Sequence, residues 1–262
     1  FINKLWNASR FVLMNAEGKK IPSVEEVKFA PADKWIISRL QNCIREVTTN
    51  LGKYELGMAS ELATDFVWDD FCDWYIELAK IRMNGADEES ADSARRVLVW
   101  TMSNTLKLLH PFMPYITEEI WQTLPHDGEA LIVAKWPEYD EALSFPQEAK
   151  NLENVMALIR AIRTRRNEMN VPPSKKAHIY IDTAHPAPYE EASEFIARLA
   201  YGSKVEIGTG FDVQGAVTAV TDDAKALLPM DDLVDKAAET ARLNKELANA
   251  QKQLDTVKAK LA

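Results

Sequence analysis

The stretch Phe66-Val-Trp-Asp-Asp-Phe-Cys-Asp-Trp-Tyr75 decides the fold class of this 262-residue chain. At about 100° per residue in an α-helix, its bulky side chains fall on one arc together with Leu78. That arc holds Val67, Trp68, Phe71, Trp74 and Tyr75. The helical pattern runs from about Leu56 to Met83, where Asn84-Gly85 ends it. We therefore predict a long helix that buries a broad aromatic face in a helical core.

Helical patterns flank this stretch on both sides. Three further helices are predicted, from Pro31 through Val47, from Ser90 to His110 and from Pro114 to Trp121. Residues 125–128 form a predicted turn, and residues 131–136 are predicted to follow as an extended strap. Long helices joined by short loops are typical of an α-helical bundle.

The pattern changes after Pro146. A helix from Glu148 to Asn170 comes first, and Pro172-Pro173 follows it. The predicted strands are residues 177–182, 204–207 and 216–220, with a short helix near Tyr189 to Ala200 between the first two. Together these elements predict a small α/β unit.

The last stretch, from about Leu233, predicts a coiled-coil helix. Its apolar residues alternate steps of four and three, which is heptad spacing; they are Leu243, Leu247, Ala250, Leu254, Val257 and Leu261. Such a stripe needs a partner helix, either a second copy or an antiparallel mate outside this chain, and we expect the mate. We therefore predict a mainly α protein in three parts: a helical bundle over residues 1–146, an α/β unit over 147–230 and a coiled-coil helix over 231–262.

The opening helix has two predicted faces. A core-facing arc gathers Ile2, Leu5, Trp6, Val12 and Leu13, and the opposite arc gathers Lys4, Asn7, Arg10 and Phe11. Cations suit phosphates, an amide suits a base edge and a flat ring suits a base face, so the second arc fits an unstacked nucleotide. The alternative is that Phe11 packs beneath a neighbouring loop. Because this pattern begins at residue 1 without an initiator Met or an N-cap, we expect the chain to be part of a longer one.

Composition limits the classes of function. The net charge of −9 opposes non-specific nucleic-acid binding, so any RNA contact must use local basic surfaces. Two cysteines without a CxxC motif indicate free thiols in a reducing cytoplasm rather than structural zinc. No apolar run is long enough for a membrane span, and no signal peptide is evident.

The sequence offers no self-contained active site. It has no GxSxG, P-loop or GxGxxG motif. Asp65, Asp69 and Asp73 share a helix face, but without a suitably spaced His or Glu they indicate a solvated surface more than a metal site. His110, before Pro111, is better explained as a helix-end residue than as a catalytic base. We predict no catalytic residue, metal site or cofactor in this chain.

A basic segment ends the helix that starts near Glu148. Arg160, Arg163 and Asn167 lie at i, i+3 and i+7, Arg165 and Arg166 belong to the same run, and Lys175-Lys176 continue it after the proline pair. Cations near a helix C-terminus oppose the helix dipole, which is one explanation of the pattern. A strip that binds phosphate or a neighbouring domain is the other.

Four stretches together resemble the C-terminal third of valyl-tRNA synthetases. They are Asn3–Phe11, Phe66–Tyr75, Leu109–Trp121 and Ile159–Lys176, in the order that the family has them. The first and third are shared more loosely by isoleucyl, leucyl and methionyl relatives, which stay as an alternative. The fourth, together with the heptad tail, favours the valyl family. An isoleucyl enzyme would be expected to end in a cysteine-rich zinc module, and this chain has no such cluster.

The resemblance implies part of a class I aminoacyl-tRNA synthetase. That family joins valine to its tRNA through valyl-adenylate, using ATP and magnesium in a catalytic domain with HIGH-like and KMSKS-like signatures. Neither signature occurs here, nor does the separate editing domain, so the resemblance implies a fragment that is inactive alone. The implied partners are valine tRNA, mainly its anticodon stem-loop, the catalytic domain of the same polypeptide and the second helix of a coiled-coil arm.

The resemblance also implies roles for individual residues. Lys4 and Arg10 would contact bases or phosphates, Phe11 would stack on an anticodon base, and Asn7 would contact the tRNA or only cap or bridge. Arg160 and Arg163 are the predicted contacts of the second part, and Arg242 and Lys245 those of the truncated arm. A helical interaction module with a dimerising tail remains the alternative of a different class. A helical enzyme is a third, without residue evidence.

Overall fold

The computed structural model describes residues 1–16, 27–233 and 251. The chain forms two compact units, Phe1–Glu153 and a second that begins at Asn154. The three-part division at residues 146 and 230 stays a prediction. The coiled-coil helix predicted from residue 231 lies almost entirely outside the described residues, apart from the short helix Met230–Leu233.

The first unit is built from helices, as the sequence predicted. They are α1 (Ile2–Ala16), α2 (Pro31–Gly52), α3 (Leu56–Asp65), α4 (Ile76–Met83), α5 (Glu88–Leu109) and α6 (Pro114–Trp121). Pro31 and Pro114 occupy the first turns of their helices, where the missing N–H costs nothing. The Asp87 side chain caps α5 by accepting from the N–H groups of Glu89 and Ser90.

A π-helix over Phe66–Tyr75 joins α3 to α4 and corrects one prediction from the sequence. Phe71 and Tyr75 are fully buried, as predicted, but the side chain of Trp68 is 42% exposed. The prediction that Trp68 belongs to the core was wrong. Because a π-helix has more residues in each turn than an α-helix, side chains drift away from the positions that the 100° pattern assigns them.

The opening helix α1 buries a different face from the one predicted. Leu5 and Val12 are buried, as expected, but Ile2 is 55% exposed and Trp6 is 40% exposed. Small residues, Ala8 and Ser9, take the positions against the bundle instead. Close packing of α1 on α5 favours small side chains at the contact, and this requirement outweighs the hydrophobicity of Trp6.

A buried polar cluster links α2 to α4. The Asp33 carboxylate is fully buried and accepts hydrogen bonds from the Tyr75 hydroxyl at 2.8 Å and the Arg82 guanidinium at 2.6 Å. It also accepts from the N–H of Ala30 at 3.0 Å, which caps α2. Burial and the neighbouring Asp33 carboxylate raise the pKa of Tyr75 well above its usual value.

The strap after α6 lies along α2. It contains two short 3-10 turns, Leu131–Val133 and Glu141–Leu143, so the prediction of an extended segment holds only between them. Three polar side chains of α2 bind it, and the pairs are Thr48 Oγ1 with Trp136 Nε1 at 2.9 Å, Gln41 Oε1 with the Asp140 N–H at 2.8 Å and Ser38 Oγ with the Phe145 N–H at 2.7 Å.

Helix α7 (Pro146–Glu168) leads into the second unit, which has the predicted α/β character. Its other elements are β1 (Ala177–Thr183), α8 (Pro186–Glu191), α9 (Ser193–Leu199), β2 (Gly202–Gly208), β3 (Ala216–Val220), β4 (Ala224–Pro229) and α10 (Met230–Leu233). The strand order is β2-β1-β4-β3, with β1 parallel to β2 and antiparallel to β4. Strand β4 was not among the predicted strands, because Ala224-Lys-Ala-Leu-Leu-Pro229 lacks β-branched and aromatic residues.

Candidate nucleic-acid interface

The four predicted α1 residues divide into two pairs. Asn7 and Arg10 are exposed to solvent. Lys4 and Phe11 are half-buried, seven residues apart and therefore on one side of the helix. That side lies beside the continuous helix formed by residues 66–83, so the structure brings Lys4 and Phe11 together with residues of that helix.

Lys4 is held by three interactions. Its Nζ lies 2.6 Å from Asp73 Oδ1, donates to the Trp68 carbonyl oxygen at 3.1 Å and sits 3.8 Å from the centroid of the Trp68 ring. The Asp73 carboxylate therefore compensates the charge of Lys4 in this structure. Both side chains keep contact with solvent, so the pair can exchange partners at modest cost.

Phe11 lies beneath a cation rather than inside the hydrophobic core. Lys80 Nζ is 5.2 Å from the centroid of the Phe11 ring, within the range of a cation–π contact. Lys80 also pairs with Glu77 Oε1 at 2.6 Å. We call the line formed by Lys4, Phe11, Trp68, Asp73 and Lys80 the α1 seam.

The thiol of Cys72 lies close enough to Lys4 and Asp73 for both charges to change its pKa. Burial raises its pKa to about 11, the nearby Lys4 ammonium lowers it and the Asp73 carboxylate raises it. Cys43 is more deeply buried, and burial raises its pKa to about 12. Both thiols are therefore protonated at neutral pH.

The basic segment of α7 directs much of its charge into its own unit. Arg163 Nε donates to the Leu199 carbonyl at 2.6 Å, and its guanidinium lies 5.8 Å from the Tyr201 ring centroid. Arg165 donates to the Thr218 carbonyl at 3.2 Å and pairs with Glu168 at 2.9 Å. Arg160 is exposed.

Arg166 is buried, with only 2% of its surface exposed. Its Nη2 donates to the carbonyl oxygens of Pro172 and Lys175, which fixes the loop between α7 and β1. Burial lowers the pKa of this arginine, because a charged group loses hydration there.

Acidic residues near the seam are surface groups. Asp65, Asp69 and Asp73 are exposed, while Asp70 pairs with Arg39 at 2.8 Å. Within the described ranges, no group of three or more His, Cys, Asp or Glu residues is arranged to hold a metal ion. The ring of His110 contacts the Thr117 hydroxyl at 2.8 Å near the end of α5.

The last two predicted tRNA contacts belong to the predicted coiled-coil arm. Arg242 and Lys245 lie outside the described residues. Among the helices that the structure does describe, none combines the length and the apolar character needed to cross a membrane.

Comparison with known proteins identifies the family. The model for the anticodon-binding domain of tRNA ligase matches residues 33–181. The chain belongs to the tRNA ligase anticodon-binding domain family. The match covers α2 to α7 and most of β1.

The individual relatives of this anticodon-binding domain are valine–tRNA ligases. The enzyme of Listeria monocytogenes is 43% identical over 272 residues, which cover all of this chain and 30% of the relative. That of Staphylococcus saprophyticus is 41% identical over 270 residues, again all of this chain and 31% of the relative. The chain thus spans about a third of their length, and the resemblance to valyl-tRNA synthetases is confirmed.

A solved structure of a LeuRS–tRNA–LeuAMS ternary complex from Agrobacterium radiobacter K84 also matches part of this chain. The match covers 55% of this chain and 16% of the matched chain, with a TM-score of 0.41 and 18% sequence identity.

Sequence reasoning missed two members of the seam in this anticodon-binding domain. Lys80 belongs to a different helix from Phe11, and periodicity within one helix gives no information about contacts between helices. Trp68 was assigned to the core because the π-helix was not foreseen. The sequence of Phe66–Tyr75 shows its repeated aromatic and acidic residues, but it does not show that the segment forms a π-helix.

Proposed function

We propose that the helical unit binds the anticodon stem-loop of a valine tRNA through the exposed side of α1. The observation that supports this most is the exposure of Asn7 and Arg10 next to the half-buried Phe11 ring, on a chain of the anticodon-binding family. An exposed guanidinium can meet a phosphate or a base edge, and an amide can pair with a base edge.

Phe11 supplies the stacking surface in this proposal. Its ring is half-buried, and Lys80, whose Nζ lies 5.2 Å from the ring centroid, supplies a positive charge for the RNA backbone. Stacking on an aromatic ring tolerates any base, so Asn7 and Arg10 carry the selection between anticodons. Lys4 joins the contact when a phosphate competes for it with Asp73.

The second unit adds contacts outside the anticodon. Arg160 is exposed, and the half-buried Arg163 would meet a phosphate with its guanidinium while its Nε stays bonded to the Leu199 carbonyl. Arg242 and Lys245 complete the proposal as contacts of a coiled-coil arm over residues 231–262. The proposed division of labour is therefore anticodon binding by residues 1–146, a linking α/β unit over 147–230 and an arm beyond it.

In the whole protein, we propose that this chain serves a cytoplasmic valine–tRNA ligase. ATP and magnesium would act in a catalytic domain that carries the HIGH-like and KMSKS-like signatures, which this chain lacks. The chain alone would bind tRNA without joining valine to it. Its length relative to the valine–tRNA ligases supports a binding part rather than a complete enzyme.

Fluorescence anisotropy with labelled stem-loops tests the proposal. We expect the chain to bind the valine anticodon stem-loop more tightly than stem-loops with unrelated anticodons, with an affinity that falls as salt concentration rises. Equal affinity for all anticodons would contradict base recognition. A concentration-dependent dimer in sedimentation, without RNA binding, would instead favour the interaction module.

Phe11→Ala tests the stacking role. The change is expected to weaken stem-loop binding by about 1–3 kcal/mol, the usual contribution of one stacked base. Phe29→Ala is the matched control, because Phe29 is also half-buried but packs edge-on against Phe145, with ring centroids 5.8 Å apart. A loss no larger than that of the control would mean that the Phe11 ring is structural.

A further inference from the structure

The α1 seam contains a second aromatic ring that the proposed function does not use. The Trp68 side chain is 42% exposed although the residues around it in the π-helix, Val67 and Phe71, are completely buried. Exposing an indole ring to water forgoes the stabilisation that its burial would give. π-Helical segments occur frequently at functional sites, and here the segment turns a tryptophan outward.

The indole ring is held in a defined position. Lys4 Nζ lies against one face of the ring, 3.8 Å from its centroid, and also donates to the carbonyl of Trp68 itself. Asp73 holds the same ammonium at 2.6 Å. A ring fixed before binding loses little conformational freedom when a ligand stacks on it, so more of the stacking energy remains as affinity.

We propose that Trp68 is a second stacking platform, which takes an unpaired base of the RNA loop that contacts Phe11. The inference rests on the proposed function and adds a residue to it. The Trp68 ring contacts Lys4, which is seven residues from Phe11 on α1, a rise of roughly 10 Å along that helix. Consecutive bases rise about 3.4 Å along a strand, so one short loop can reach both rings.

The two platforms have the same construction. Each ring carries a lysine ammonium on one face, Lys80 over Phe11 and Lys4 over Trp68, and each lysine pairs with a carboxylate of the helix formed by residues 66–83. The cation of each pair can attract the phosphate of a stacked nucleotide once it leaves its carboxylate, because both ion pairs are partly exposed to solvent.

The carboxylates beside Trp68 define which base fits. Asp69 and Asp73 are both exposed, so a phosphate placed directly against them would be repelled. A carboxylate can instead accept a hydrogen bond from an exocyclic amino group, as acidic side chains do with cytosine N4. The Trp68 platform therefore prefers adenine, cytosine or guanine, each of which carries such a group, to uracil.

Variants of the whole chain test the platform by anisotropy with the valine anticodon stem-loop. We expect Trp68→Ala to raise Kd by about 5- to 150-fold, the range for one stacked base, and Trp68→Phe to retain most of the affinity. Tyr54→Ala is the control, because Tyr54 is an exposed aromatic residue in the turn after α2. Oligo(A) and oligo(C) should bind more tightly than oligo(U), and Asp73→Asn should reduce that preference.

A spectroscopic readout keeps the test independent of variant folding. With 5-fluorotryptophan incorporated, the resonance that disappears in Trp68→Phe identifies this ring. It should shift on addition of the stem-loop, because a stacked base changes the local ring current.

The outcomes separate the two proposals. Stem-loop binding that Trp68→Ala leaves unchanged, with an unshifted fluorine resonance, overturns the platform while anticodon binding stands. A wild-type chain that does not bind the stem-loop overturns both. Weakened binding with a shifted resonance supports the platform.

Discussion

The α1 strip, formed by Lys4, Asn7, Arg10 and Phe11, and the end of α7 carry similar sequence signals but use their cations differently. In α1, Arg10 is exposed to solvent. In α7, Arg163, Arg165 and Arg166 each donate to a backbone carbonyl of the second unit. An arginine that satisfies carbonyls within its own unit contributes to stability first, whereas an exposed one remains available to a partner.

The direction of each side chain therefore matters more than the density of charge. Both strips lie in a chain with a net charge of −9, where a cluster of cations in the sequence invites the interpretation of phosphate binding. Substituting one arginine at a time distinguishes the two uses, because a structural arginine changes the free energy of unfolding and a binding arginine changes RNA affinity.

Arg82 marks the structural extreme and gives the largest expected effect. Arg82→Met should lower the free energy of unfolding by about 3–5 kcal/mol, because it leaves the fully buried Asp33 carboxylate without its cation. Urea denaturation followed by circular dichroism measures the loss. Arg96→Met is the control, since Arg96 pairs with Asp92 near the surface and should contribute less than about 1 kcal/mol. Similar losses in both variants would contradict the assignment.

Arg166 should behave as a structural arginine of α7. Arg166→Met removes the donor of the Pro172 and Lys175 carbonyls and should cost about 1–3 kcal/mol of stability, the range for hydrogen bonds to a charged group. Arg198→Met is the control, with an expected change within about 0.5 kcal/mol because its side chain is exposed in the last turn of α9. Unchanged stability in the Arg166 variant would contradict its role in holding the loop.

Arg10 should show the opposite behaviour. Arg10→Met is expected to leave stability within about 0.5 kcal/mol, since the side chain is exposed. The slope of log affinity against log salt should fall by about 0.7, which corresponds to one lost phosphate contact on single-stranded RNA. Anisotropy titrations at several salt concentrations measure the slope, with Lys53→Met as the exposed control. An unchanged slope would remove Arg10 from the interface.

Lys4 should produce the smallest effect, which sharpens the comparison within α1 itself. Its ammonium lowers the pKa of Cys72, so Lys4→Met should raise that pKa further above about 11 and reduce the thiolate fraction. Alkylation of Cys72 at pH 9 is then expected to slow by about two- to fivefold. Mass spectrometry of iodoacetamide-treated protein measures the rate. An equal rate in both proteins would mean that Lys4 does not approach the thiol.

Much of the helical unit could be predicted from local signals. Pro31 and Pro114 begin helices, and Asn84-Gly85 follows the end of α4. These features depend on backbone chemistry, which is readable residue by residue. The family could be predicted as well, because its motifs are short and keep their order along the chain.

The α1 seam could be predicted only for Lys4 and Phe11, because the rest of it depends on contacts between helices. Trp68 faces outward only because a π-helix changes the period, and Trp6 faces outward only because the contact with α5 accepts small residues. The ammonium of Lys80 reaches Phe11 from another helix, 69 positions later in the chain. Arg163 and Arg166 were recognised as basic, but the carbonyls that they bind come from loops and helix ends.

The three hydrogen bonds between α2 and the strap fix the register of the strap on the helix. Ser38, Gln41 and Thr48 meet the strap in reverse order along the chain, so a slip of one residue would disengage all of them together. The register of this irregular segment is therefore fixed as firmly as that of a strand in a sheet. Ser38 and Gln41 are themselves buried. The amide protons of Asp140 and Phe145 should therefore exchange with solvent as slowly as those of the bundle helices, and more slowly than those of the surface loops.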